Sequence, residues 1–82
     1  MTDKNSVNAD IMDLDEWMHK FALKLDRLRR RRGLSVNELG KLSGISPTSV
    51  KRYLNEKGLP TSYTVYCLSK ALNCTVSALM DF

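Results

Sequence analysis

The sequence predicts an all-α fold, a compact domain of five helices joined by short loops. Three observations lead there. Apolar residues recur at helical spacing from Leu14 to Leu28 and again between Val50 and Leu72. Helix-start and helix-stop residues punctuate the chain at short intervals. No segment alternates apolar with polar residues for long enough to make a strand. With 82 residues the chain accommodates one domain, which can bury a modest core without a covalent staple.

Residues 1–10 (MTDKNSVNAD) are polar and aperiodic, and read as a flexible tail before a single domain over 11–82. Asp13, with Glu16 three residues later, has the form of an N-cap and its box partner. Leu14, Met18, Phe21, Leu25 and Leu28 then follow at steps of four and three, widened by Trp17 and Ala22, and predict an amphipathic helix. Its acids lie at the start and Arg29–Arg32 at the end, which suits the helix dipole, and Gly33 stops it.

Ser35-Val36-Asn37-Glu38 is a second capping box, opening a short helix through Leu39 and Leu42 that ends at Gly44. Ser46 caps a third helix, with Pro47 at the first helical position, where a missing N–H costs nothing. Val50, Tyr53 and Leu54 form its inner face. NEKGLPTS (55–62) is a loop. A fourth helix is expected from about Ser62 to Leu72, with Val65, Tyr66, Leu68, Ala71 and Leu72 inward and Asn73 left-handed at its end. Thr75 caps a final short turn.

Charge is unevenly placed. Residues 1–19 carry Lys4 against Asp3, Asp10, Asp13, Asp15 and Glu16, a net −4, whereas residues 20–57 carry a net +8. A concentrated basic block is the footprint of a polyanion binder, or else a solvated charged face. Cys67 and Cys74 are seven residues apart, about 10 Å along a helix, beyond disulfide reach, and read as buried reduced thiols. The single histidine, His19, is remote from both, so no metal site is expected. No run is apolar enough for a membrane span and no signal-peptide pattern opens the chain. Asp13 and Glu16 are helix-start residues, no activated Ser or Cys is recognisable, and no cofactor or enzymatic activity is expected.

Two short helices joined by a tight turn at Ser43–Ser46 have helix-turn-helix geometry, over about residues 35–55. The frame RLRRRRGLSVNELGKLSGISPTSVKRYL, then NEKGLP, then VYCLSKALNCTVSALM resembles the Cro/repressor-type (xenobiotic-response-element-like) helix-turn-helix family over about residues 20–80. The resemblance implies a lambda-repressor-like domain of a sequence-specific double-stranded DNA-binding transcriptional regulator, a repressor, with the helix Pro47–Leu54 in the major groove. It implies base-reading positions at Pro47, Thr48 and Arg52, with Ser49 and Lys51 as neighbours. Arg52 can take a guanine's two acceptors together, and Thr48 offers hydroxyl or methyl contacts. Pro47 departs from the polar residues usual at that position and can only pack.

For phosphate contacts the resemblance points to Arg29 and Asn55, with Ser35 and Ser46 at helix N-termini and Lys57 in the loop. Two departures stand out. Val36 replaces the family's usual Gln after the cap, and Leu54 stands where many relatives carry a Glu that pairs with the arginine at the Arg29 position. Arg29 is therefore expected to be freer to meet phosphate. Ser35 and Ser46 also read simply as caps. A homodimer is expected, through the closing residues Val76, Leu79, Met80 and Phe82 in preference to a seam along the long first helix. A dimer would read a near-palindromic operator, two half-sites about 34 Å apart. With neither span nor signal pattern the chain reads as soluble and cytoplasmic; as a member of such a family it is expected to be nucleoid-associated and of bacterial or phage origin, a small stand-alone regulator.

Rival readings remain at this level. The same frame serves protein-interaction modules such as antitoxins or regulatory adaptors, with the first helix as the partner surface. A basic amphipathic helix at a membrane surface is disfavoured because the cations cluster at one end of it. The frame favours duplex DNA over RNA.

Overall fold

The computed structural model describes residues 11–82; the segment assigned above as a tail, 1–10, lies outside the described residues. The helices are α1 (Leu14–Arg31), α2 (Val36–Ser43), α3 (Pro47–Leu54), α4 (Ser62–Ala71) and α5 (Val76–Leu79). No strand occurs among the described residues.

Every helix begins on a hydroxyl or carboxylate that takes up a backbone N–H. Asp13 accepts from Glu16 N–H at 2.8 Å, Ser46 from Ser49 N–H at 3.1 Å, Thr61 from Thr64 N–H at 3.1 Å and Thr75 from Ala78 N–H at 3.0 Å. At α2 the box is reciprocal, because Ser35 N–H also donates to Glu38 Oε1 at 2.8 Å. At α1 only half of the expected box forms. The Glu16 carboxylate turns instead along the helix to Lys20 Nζ, 3.4 Å away. Gly33 (φ 68), Gly44 (φ 76) and Asn73 (φ 58) adopt the left-handed conformations their positions predicted.

The core is built from Phe21 and Leu25 of α1, Leu39 of α2, Val50 of α3, Val65 and Leu68 of α4, then Leu72 and Leu79. Trp17 stacks on Phe21 at 5.2 Å between ring centroids and meets the Phe82 ring edge-on at 5.6 Å. That pair fastens the C-terminus onto α1. Arg32 Nη1 adds a second fastening, donating to the Ala71 carbonyl at 2.8 Å, where α4 ends.

Two expected core residues lie outside. Leu14 belongs to the first turn of α1 and overhangs the core, 55% exposed. Tyr66 is 50% exposed, since Val65, Leu68, Ala71 and Leu72 already fill the inner arc of α4 and Tyr66 sits one helical step beyond it.

Candidate nucleic-acid interface

The α2–α3 unit owes its shape to one close approach. A Cβ on Gly40, in the middle of α2, would stand 2.8 Å from the Ile45 carbonyl oxygen and 3.1 Å from two ring carbons of Pro47. Only glycine lets the turn and the start of α3 lie this near α2. Ser43 reinforces the turn, its hydroxyl donating to the Gly40 carbonyl and accepting from Ile45 N–H, both at 3.2 Å.

Helix α3 is divided lengthwise. Val50 is fully buried, while Tyr53 and Leu54 pack partly on the core. Thr48, Lys51 and Arg52 are exposed. The helix carries no acid, so its outer side presents two cations and a hydroxyl to solvent. The other two residues assigned to base reading are placed differently. Pro47 is half-buried with its ring against Gly40, and Ser49 is half-buried, its hydroxyl accepting from that of Ser46 at 3.0 Å.

The arginine expected to be unpartnered is held. Arg29 Nη2 meets Asp26 Oδ1 at 2.6 Å, Nη1 donates to the Leu34 carbonyl at 2.7 Å, and the side chain is 15% exposed. Asp26, one turn earlier on α1, replaces the missing glutamate, which corrects the expectation of a freed guanidinium. Arg29 thus braces the segment that leads into the Ser35 cap. Asp26 also takes Arg30 Nε at 2.7 Å, and the hydrogen bond from Arg29, then that from Arg30, hold its carboxyl below the ordinary value of 3.8 against the opposing effect of burial.

Of the remaining phosphate candidates, Ser35, Ser46, Asn55 and Lys57 are all exposed. Ser35 is engaged by Glu38, whose carboxyl is held low by the Ser35 backbone N–H and then by its hydroxyl. Asn55 is the C-cap of α3. Beyond it Glu56 takes a left-handed conformation (φ 60) that no sequence signal announced.

Among the residues assigned to a dimer interface, Val76 is 41% exposed and Met80 and Phe82 are half-buried. Leu79 is fully buried in this chain's own core, so it supports that face from beneath. Val76 and Met80 join Trp17, Pro60 and Val65 around a shallow cleft of about 200 Å³. Cys67 and Cys74 are free thiols but only half-buried, where full burial is the sequence expectation, and this partial burial pushes the Cys74 thiol up. No cluster of metal-ligating side chains occurs among the described residues, and no described helix is long and apolar enough to cross a membrane.

A short helix pair around a glycine-tight turn, wrapped by three further helices, defines the class of helix-turn-helix domains found in DNA-binding transcription regulators. The sequence profile of the helix-turn-helix family HTH_3 matches residues 25–79, and the chain belongs to that family. It is 38% identical over 64 residues to the HTH-type transcriptional repressor RghR of Bacillus subtilis (strain 168), spanning 77% of this chain and 47% of that protein. Its fold matches the crystal structure of an HTH_3 family transcriptional regulator from Vibrio cholerae with a TM-score of 0.78 and 25% identity, over 82% of this chain and 38% of the other. The chain thus spans less than half the length of either relative.

Proposed function

We propose that this chain is the sequence-specific double-stranded DNA-binding part of a transcriptional repressor, and that α3 enters the major groove. The lengthwise division of α3 carries the reading. Its apolar residues are consumed by the core, while Thr48, Lys51 and Arg52 are exposed on a helix without acids, held at a fixed angle by the Gly40–Pro47 contact. Thr48 and Arg52 read base edges, and Lys51 adds a base or phosphate contact. Pro47 and Ser49 shape the start of the helix and pack beside the bases. Ser35, Ser46, Asn55 and Lys57 approach phosphates, and Arg29 acts there through its brace on the α2 start. Repression is taken from the name of the Bacillus subtilis relative.

Two copies pair through Val76, Met80 and Phe82 over Leu79, and place their α3 helices on half-sites of a near-palindromic operator about 34 Å apart. The protein acts in the cytoplasm, on the nucleoid. Fluorescence-polarisation titration of a randomised duplex pool at two salt concentrations tests this reading. Binding that weakens steeply with salt, together with enrichment of a two-fold symmetric sequence, is the expected result. Absence of binding at low salt overturns it.

A second reading, a protein-interaction module on the same frame, draws on Ile11, just ahead of α1, and Leu14, in its acidic first turn, 64% and 55% exposed.

A further inference from the structure

The chain beyond α3 folds back onto the side chain assigned above to base reading. Lys57 N–H donates to the Arg52 carbonyl at 2.8 Å, closing the loop. The Lys57 carbonyl in turn accepts from Arg52 Nη2 at 3.3 Å. The loop is pinned at its far side, where Glu56 Oε2 lies 2.8 Å from His19 Nδ1 of α1. Gly58 lies against the guanidinium. A Cβ there would stand 3.3 Å from Arg52 Nη2, 3.5 Å from Nε and 3.8 Å from Cζ.

We infer that the loop Asn55–Gly58 is a cradle that aims the Arg52 guanidinium, and that Gly58 is a specificity-determining positioning residue. The inference rests on the reading of α3 as the base-contacting helix and names what makes its longest reader selective. Nη2 carries two hydrogens. One is taken by the Lys57 carbonyl, which leaves the other, with one from Nη1, for the O6 and N7 acceptors of a guanine. An arginine on an exposed helix face samples many rotamers and loses that freedom on binding. A guanidinium already laid across a loop surrenders less, and its direction excludes bases whose acceptors do not line up with it. Gly58 is not among the positive-φ glycines, so its backbone tolerates alanine. What an added methyl meets is Arg52, at a distance tighter than ordinary contact, and the guanidinium must shift by a few tenths of an ångström.

The experiment uses the duplex selected by the wild-type chain and the same duplex with one guanine of the half-site replaced. The ratio of their Kd values is measured for wild type, Gly58→Ala, Arg52→Ala and the double variant, with melting curves confirming the fold. Gly58→Ala is expected to reduce the discrimination by about three- to tenfold, and to cost nothing further once Arg52 is Ala. Full discrimination in Gly58→Ala beside a loss in Arg52→Ala overturns the cradle and leaves the base-reading role intact. An equal loss from Gly58→Ala in both backgrounds also overturns it, because the glycine then acts independently of Arg52. Unchanged discrimination in Arg52→Ala removes the base-reading role of Arg52 and the cradle with it.

Discussion

Pro47 lies so near Gly40 that two of its ring carbons would stand 3.1 Å from a Cβ on that residue. The contact sets the angle between α2 and α3, and with it the angle at which Thr48, Lys51 and Arg52 leave the domain. Gly40→Ala places a methyl 2.8 Å from the Ile45 carbonyl oxygen, which is backbone and cannot rotate away. We predict a loss of about 1–3 kcal/mol in urea unfolding, the usual cost of overpacking. The helix preference of alanine over glycine works in the opposite direction, by up to about 1 kcal/mol.

Arg29 joins α1 to the segment before α2 through Asp26 and the Leu34 carbonyl. Its Nε is buried without a partner, so the site is polar and incompletely satisfied. Arg29→Ala removes the brace and leaves the Leu34 carbonyl short of a donor. A stability loss of about 2 kcal/mol is expected, again read by urea unfolding, with DNA affinity falling at least as far as the altered α2 start requires.

The acid limb of stability follows from the two depressed carboxyls. Asp26 and Glu38 both lie below their ordinary values of 3.8 and 4.5 when folded. Folding therefore favours the carboxylate form. Their contribution is fully present above those ordinary values and is lost as pH falls through the lower folded ones. Melting temperatures taken stepwise from pH 6 to pH 2.5 should fall across this window. The Asp26→Asn protein should start lower and fall less steeply.

Most of this fold was legible because its signals are local. Ser35, Ser46 and Thr75 announce helix starts by their own chemistry, and Gly33, Gly44 and Asn73 announce ends. What escaped depends on neighbours distant in sequence or on competition for one surface. Leu14 and Tyr66 are apolar enough for a core, but the core ends before one and is already full beside the other. Gly40 gave a readable hint, a glycine inside a short helix marking a close approach. Asp26 gave another, since its spacing of three and four residues from Arg29 and Arg30 is that of ion pairs along a helix. The left-handed Glu56 gave none. Its conformation is set by the loop closing on Arg52 and by His19 on another helix.

Ser46→Ala tests the start of α3. The hydroxyl caps Ser49 N–H and also bonds the Ser49 hydroxyl. Its loss is expected to cost about 1 kcal/mol in thermal or urea unfolding. Ser35→Ala breaks the reciprocal box at α2 and is expected to cost a similar amount.

Lys51 separates electrostatics from readout. If it meets a phosphate, Lys51→Ala weakens all duplexes about equally and reduces the slope of log Kd against log salt by about 1. Should it touch a base edge, the loss concentrates on the selected sequence and the slope stays near that of wild type. Titrations of selected and scrambled duplexes at four salt concentrations distinguish the two.

The central claim is that α3 lies in the major groove. Methylation interference on the selected duplex tests it most directly, because N7 of guanine lies in the major groove and N3 of adenine in the minor. The account predicts that N7 methylation blocks binding in two clusters one helical turn apart, and that the Arg52→Ala protein loses sensitivity at a guanine in each. Interference confined to adenine N3, or none at any guanine of the selected duplex, would contradict it.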